Sequence, residues 1–110
     1  MQKMIFIGNL TRDVEKREMP NGKAVANFSV AVKRPFSKDI TDFFDVVAYD
    51  KLGETCAKYL KKGSKVLVDG YMTTRTYEKD GVKRKVYEVK CENIEFLSMA
   101  TQQDDSEIPF

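Results

Sequence analysis

The chain has 110 residues, a formal net charge of +2, 42% hydrophobic and 33% charged side chains, and no histidine. That length fits one small domain with a single core. The missing imidazole excludes Ser-His and Cys-His nucleophiles and the usual zinc sites, and no apolar run approaches the roughly 18 residues of a membrane span.

Residues 2–10 read as a first strand, with Ile5 and Ile7 on one face and Met4 and Phe6 on the other. The opening Met1-Gln2-Lys3-Met4 lacks the layout of a signal peptide, so a cytoplasmic protein is expected. Residues 11–16 are polar and read as a bend. Met19-Pro20-Asn21-Gly22 is a turn signal, because Pro presets one dihedral and Asn-Gly supplies positive φ. Residues 24–32 form a second strand. Ala26, Phe28, Val30 and Val32 share one face, and Asn27 and Ser29 lie on the other. Residues 35–40 are a loop.

Residues 42–49 form a third strand, whose period of two puts Phe43, Asp45, Val47 and Tyr49 on one face. Asp50 is placed to cap a helix over 51–62 with Leu52, Cys56, Tyr59 and Leu60 on its apolar stripe. Gly63 is placed to end it. Residues 65–77 are a long fourth strand, Asp80-Gly81 a hairpin turn, and 82–97 a fifth strand. Cys56 and Cys91 match no paired metal or redox spacing and are expected as reduced, buried thiols. Three strands, a helix and a hairpin suit an all-β, five-stranded Greek-key barrel of the OB-fold type, with one short helix between strands 3 and 4.

Residues 1–99 are assigned to this barrel, and 100–110 to a short linker and tip. The tip, Asp104-Asp105-Ser106-Glu107-Ile108-Pro109-Phe110, is acidic and ends in an apolar pair around Pro, poor material for a core. It suits a partner with a basic rim and an apolar socket. The tip has no basic side chain, so the rest of the chain is more basic than the whole, which suggests a polyanionic ligand.

No phosphate-binding glycine loop occurs. Asp42 and Asp45 leave opposite faces of a strand, so with Asp39 they make no convergent metal site. No catalytic residue, cofactor or metal is expected, and an enzyme is not. The chain has seven Phe, five Tyr and no Trp. Phe6, Phe28, Phe44, Tyr59 and Phe96 fall on faces read as inward. Phe36, Phe43, Tyr49 and Tyr77 do not, and they interleave with Lys33, Arg34, Lys65 and Arg75. Rings that stack bases beside cations that meet phosphates are what sequence-independent single-strand binding needs.

The segments Phe6-Ile7-Gly8-Asn9-Leu10-Thr11-Arg12-Asp13, Met19-Pro20-Asn21-Gly22-Lys23-Ala24-Val25-Ala26-Asn27-Phe28-Ser29 and Lys61-Lys62-Gly63-Ser64-Lys65-Val66 resemble the bacterial single-stranded DNA-binding protein family. So do Thr74-Arg75-Thr76-Tyr77, Glu92-Asn93-Ile94-Glu95-Phe96-Leu97 and the acidic tip. The resemblance implies an OB-fold protomer of a homotetramer that binds and protects single-stranded DNA in replication, recombination and repair. It implies stacking by Phe36, Phe43, Tyr49 and Tyr77, and Lys33, Arg34, Lys62, Lys65 and Arg75 are the expected phosphate contacts. Asp104, Asp105, Glu107, Ile108, Pro109 and Phe110 correspond to the family's docking peptide for replication, recombination and repair proteins. A bacterial, nucleoid-associated location follows. The linker is much shorter than in most members, which points to a specialised paralogue or a phage-encoded one. Two rival readings are an OB-fold RNA or replication-restart factor and a pure protein-interaction module.

Overall fold

The computed structural model describes residues 1–37 and 39–98. It contains six strands and one helix: β1 Met4–Leu10, β2 Glu15–Glu18, β3 Ala24–Lys33, β4 Thr41–Tyr49, α1 Asp50–Tyr59, β5 Lys65–Lys79 and β6 Val82–Ser98. The strands run β1-β5-β6-β4-β3-β2, and β1 also pairs with β3, so the sheet closes on itself. All pairings are antiparallel except β4 with β6. A closed Greek-key barrel with a helix before its final hairpin is an OB-fold.

The sixth strand corrects the expected bend over 11–16. β1 reaches Val30 of β3 through Leu10, and β2 resumes on the same strand at Asn27 through Glu15. β2 is thus a continuation of β1 beyond a short excursion at 11–14. Its sequence, Glu-Lys-Arg-Glu, is exposed throughout and lacks the apolar alternation that marks a half-buried strand. The helix therefore lies between the fourth and fifth strands of the chain.

The period of two decides what is buried. Phe28 and Val30 of β3, Val46 and Ala48 of β4, Val66 and Val68 of β5 and Val89 of β6 fill the barrel. Phe6 and Phe44 pack at its margin with ring centroids 4.7 Å apart. Cys56 and Cys91 are both buried and unpaired, as expected. Tyr59 and Phe96 are not core residues. They lie tilted against each other, 6.2 Å apart, and remain 46% and 36% exposed.

Two glycines let backbones approach. A Cβ on Gly8 would lie 2.2 Å from the carbonyl oxygen of Ala31, and one on Gly70 would lie 2.1 Å from that of Lys90. Gly8 precedes the point where β1 crosses onto β3, and Gly70 sits at a bulge in the β5–β6 ladder.

The helix differs at both ends from the expectation. Tyr49 is its extended N-cap, and Asp50 stands inside the first turn with φ of 58°, making no side-chain cap. At the other end Leu60 turns extended and buries its side chain, so the helix stops at Tyr59 rather than Lys62. Gly63, at φ of 92°, serves the next turn instead. There its N–H donates to the Leu10 carbonyl (2.9 Å), and the Ser64 N–H donates to that of Lys61 (3.0 Å).

Candidate nucleic-acid interface

The outward positions of four strands lie along one side of the barrel. On β4 these are Phe43, Asp45, Val47 and Tyr49, which face Ala31, Ser29, Asn27 and Val25 of β3. β6 runs parallel beside β4 and places Lys90 next to Val47. β5 then sets Tyr71 opposite Lys90 and Thr73 opposite Glu88. The β5–β6 hairpin continues past this point as an exposed arm that carries Arg75 and Tyr77.

Between the arm and the barrel lies a groove of two adjoining depressions, about 320 and 510 Å³. Tyr49, Val47, Arg75, Glu88 and Lys90 line its one side, with Arg17 and Met19 opposite. The larger depression adds Arg12, Glu15, Asp45 and Val86. Four basic side chains therefore face one channel: Arg12, Arg17, Arg75 and Lys90. The charges are linked. One oxygen of Glu88, Oε1, lies 3.7 Å from Arg75 Nε and 3.8 Å from Lys90 Nζ. The Lys90 ammonium also donates to Tyr49 Oη at 2.5 Å.

The four rings singled out in the sequence all reach solvent. Phe43 is 65% exposed, Tyr49 37% and Tyr77 40%. Phe36 is fully exposed at a loop tip, in the left-handed conformation (φ 66°) that few non-glycine residues adopt. The loop is closed at its base. Arg34 donates its backbone N–H to the Ile40 carbonyl (3.0 Å), and its guanidinium grips Asp42 with hydrogen bonds of 2.7 and 3.1 Å. Those hydrogen bonds hold the Asp42 carboxyl below the usual carboxylate range.

The five basic positions separate. Arg75 lies in the groove. Lys33 continues the outward face of β3 beyond Ala31, opposite Thr41. Arg34 is engaged by Asp42. Lys62 lies in the turn after the helix, where its backbone N–H donates to Asp13 Oδ1 (2.8 Å). Lys65 opens β5, between Asn9 and Ser98, far along the strand from Arg75. Neither Lys62 nor Lys65 lines the groove. Tip residues Asp104, Asp105, Glu107, Ile108, Pro109 and Phe110 lie outside the described residues.

Sequence reasoning misses Arg12, Arg17 and Lys90 as part of this surface. Arg17 sits on a strand whose sequence reads as bend and turn. Lys90 carries a usable signal: it alternates with buried Val89 and Cys91, so its outward direction follows from the period of two. Among the described residues no group of His, Cys, Asp and Glu could hold a metal ion. No described helix is long and apolar enough to cross a membrane.

A closed OB-fold with rings and cations along an outer groove defines a barrel of the oligonucleotide-binding class. The chain belongs to the Single-strand binding protein family, whose model matches residues 1–97. It is 45% identical over 102 residues to the Single-stranded DNA-binding protein of Halalkalibacterium halodurans, across 88% of this chain and 61% of that protein. It is 39% identical over 115 residues to Single-stranded DNA-binding protein 2 of Clostridium acetobutylicum, across 100% of this chain and 86% of that protein. A Neisseria meningitidis Single-stranded DNA-binding protein is 38% identical over 104 residues, across 88% of this chain and 60% of that protein. The chain thus spans about six tenths of the length of the first and third relatives. All three relatives bear the names of binding proteins and not of enzymes.

Proposed function

We propose that this chain binds and protects single-stranded DNA without strong sequence preference, as a non-enzymatic factor in replication, recombination and repair. One observation carries the reading: a groove on a family barrel with an exposed ring, Tyr49, and four basic side chains along it. Unstacked bases can lie on Tyr49, Phe43, Phe36 and Tyr77, each stack worth about 1–3 kcal/mol. Arg12, Arg17, Arg75 and Lys90 meet the phosphates, with Lys33 extending the path past Phe43. Arg34 acts mainly by bracing the Phe36 loop, and Lys62 and Lys65 are left for a strand that wraps around the barrel.

The working unit is a homotetramer, since one barrel offers only a short DNA path. The tip Asp104–Phe110 docks replication, recombination and repair proteins, and the protein acts in the bacterial cytoplasm at the nucleoid. Deleting Phe110 alone should abolish that docking and leave DNA binding nearly unchanged. The test of the main reading is direct. Labelled oligo-dT should bind tightly and weaken as salt rises, while duplex DNA of equal length should bind weakly. Equal affinity for the two would reject the reading.

A further inference from the structure

We infer that Glu88 is an internal stand-in for a backbone phosphate, occupying the place between Arg75 and Lys90 that an incoming strand must take. This rests on the proposed binding of single-stranded DNA. One carboxylate oxygen faces both cations, at 3.7 and 3.8 Å. These separations exceed the 2.7–2.9 Å of a charge-assisted hydrogen bond, so charge and not a locked geometry holds the trio. Glu88 is the least exposed member: its side chain is 22% exposed, against 24% for Lys90 and 61% for Arg75. It is fixed from behind by its backbone, whose carbonyl accepts from Thr73 Oγ1 at 3.2 Å.

A carboxylate and a phosphodiester present the same thing to these cations: an anionic oxygen that only accepts hydrogen bonds. With no strand bound, Glu88 keeps Arg75 and Lys90 turned into the groove. With a strand bound, each phosphate must displace it, so part of the attraction is already spent. Glu88 therefore lowers affinity and flattens the salt dependence, and it keeps the bound strand exchangeable. Glutamine keeps the shape and removes the charge.

The experiment is titration of labelled oligo-dT across a salt series with the full chain, Glu88→Gln, Glu88→Ala and Glu54→Gln. Glu54 is an exposed helix residue outside the groove and gives the same change in net charge. Both Glu88 variants should bind about two- to tenfold more tightly at low salt, the scale of two weak ion pairs. Their log–log salt slope should steepen by about 0.7 for each further phosphate that the freed cations neutralise. Glu54→Gln should give less than half that increase in affinity. The increase should vanish when Glu88→Gln is added to Arg75→Met with Lys90→Met. Weaker or unchanged binding by the Glu88 variants overturns the inference, as does an increase matched by Glu54→Gln or one that persists without the cations. If the unsubstituted chain fails to bind oligo-dT, the proposed function falls and this inference with it. If it binds and only the Glu88 effect is missing, the inference alone falls.

Discussion

The Lys90 ammonium sits 2.5 Å from Tyr49 Oη and 4.8 Å from the centroid of the same ring. The cation therefore lies over the hydroxyl end of the ring, where it donates to the oxygen and makes a cation–π contact with one face. The ring is thereby fixed as a stacking platform, and a base can lie on its other face without displacing the lysine. Tyr49→Phe should keep most of the DNA affinity, because it removes only the hydrogen bond. Tyr49→Ala should cost roughly 1–3 kcal/mol by losing the platform. Fluorescence titration with oligo-dT compares the two, and equal losses would place the effect in the hydroxyl and not in the ring.

Phe43 and Tyr77 stand at separate places on the same surface, both well exposed. Phe43→Ala or Tyr77→Ala should each weaken oligo-dT binding by about 1–3 kcal/mol. Thermal stability should change little, since surface truncations usually stay within about 0.5 kcal/mol. A large fall in melting temperature with unchanged affinity of the folded fraction would mean that these rings hold the barrel instead.

Much of this surface is legible in the sequence because its side chains obey the strand period. Alternation with Val46 and Ala48, which are buried, places Phe43 and Tyr49 outward. What is not legible depends on pairing partners. β2 has no apolar pattern and exists because β3 offers it an open edge. Tyr59 and Phe96 read as core from their periodic positions, yet they pack on each other and remain partly exposed. The helix ends early because Leu60 is drawn extended to seal the core, a tertiary demand that helix propensity does not report. The link of Glu88 to Arg75 and Lys90 joins β6 to β5 in the register that runs unbroken from the hairpin turn as far as the bulge at Asp69/Gly70, and it is a contact between side chains that strand periodicity alone does not report.

That bulge makes Gly70 irreplaceable. An added Cβ would meet the Lys90 carbonyl oxygen at 2.1 Å, and backbone cannot yield as a flexible side chain can. Gly70→Ala should destabilise the fold by roughly 1–3 kcal/mol or more, as overpacking does. It should also misplace Lys90 and so weaken DNA binding. Urea unfolding checks the first effect. A midpoint equal to that of the unsubstituted protein would show that the ladder opens easily here.

The two thiols give a pH dependence with a definite sign. Burial, reinforced by the nearby Cys91, pushes Cys56 up to about 12, and burial pushes Cys91 up to about 11. In the unfolded chain a thiol ionises near pH 8.5. Below that value both states hold their protons and the thiols do not affect the balance. Above it the unfolded chain loses protons that the folded chain keeps, so stability falls as pH rises toward 11 to 12. Replacing both with Ser would leave buried hydroxyls, so Cys56→Ala with Cys91→Ala is the better control. Its stability should be lower at pH 7 through lost packing but flatter between pH 8.5 and 11. Thiol-specific reagent at pH 8 should react only as the protein unfolds. Fast labelling of the native protein would contradict the burial.

The proposed assembly turns on β1. Met4 to Gly8 pair with β5, whereas pairing with β3 starts only at Asn9. One backbone edge of this strand is therefore open among the described residues, and an open edge templates pairing with another chain. The flanking side chains favour that use. Ile5 is 62% and Ile7 46% exposed, and Ile7 lies opposite Leu67 on the outward face. Lys3 guards the end of the strand, but its ammonium is committed, 2.9 Å from both Asp69 and Glu92 carboxylate oxygens. Two such edges meeting across a two-fold axis would extend both sheets and cover the isoleucines together. The unsubstituted protein should sediment as a multi-chain assembly at micromolar concentration. Ile5→Lys with Ile7→Lys should shift it to smaller species, because like charges then face each other across the axis. The barrel should still fold, since both side chains point away from the core. DNA binding should weaken for long strands and change little for short ones, because only long strands need several barrels. Sedimentation of the unsubstituted chain as a monomer, with and without DNA, would remove this role from β1.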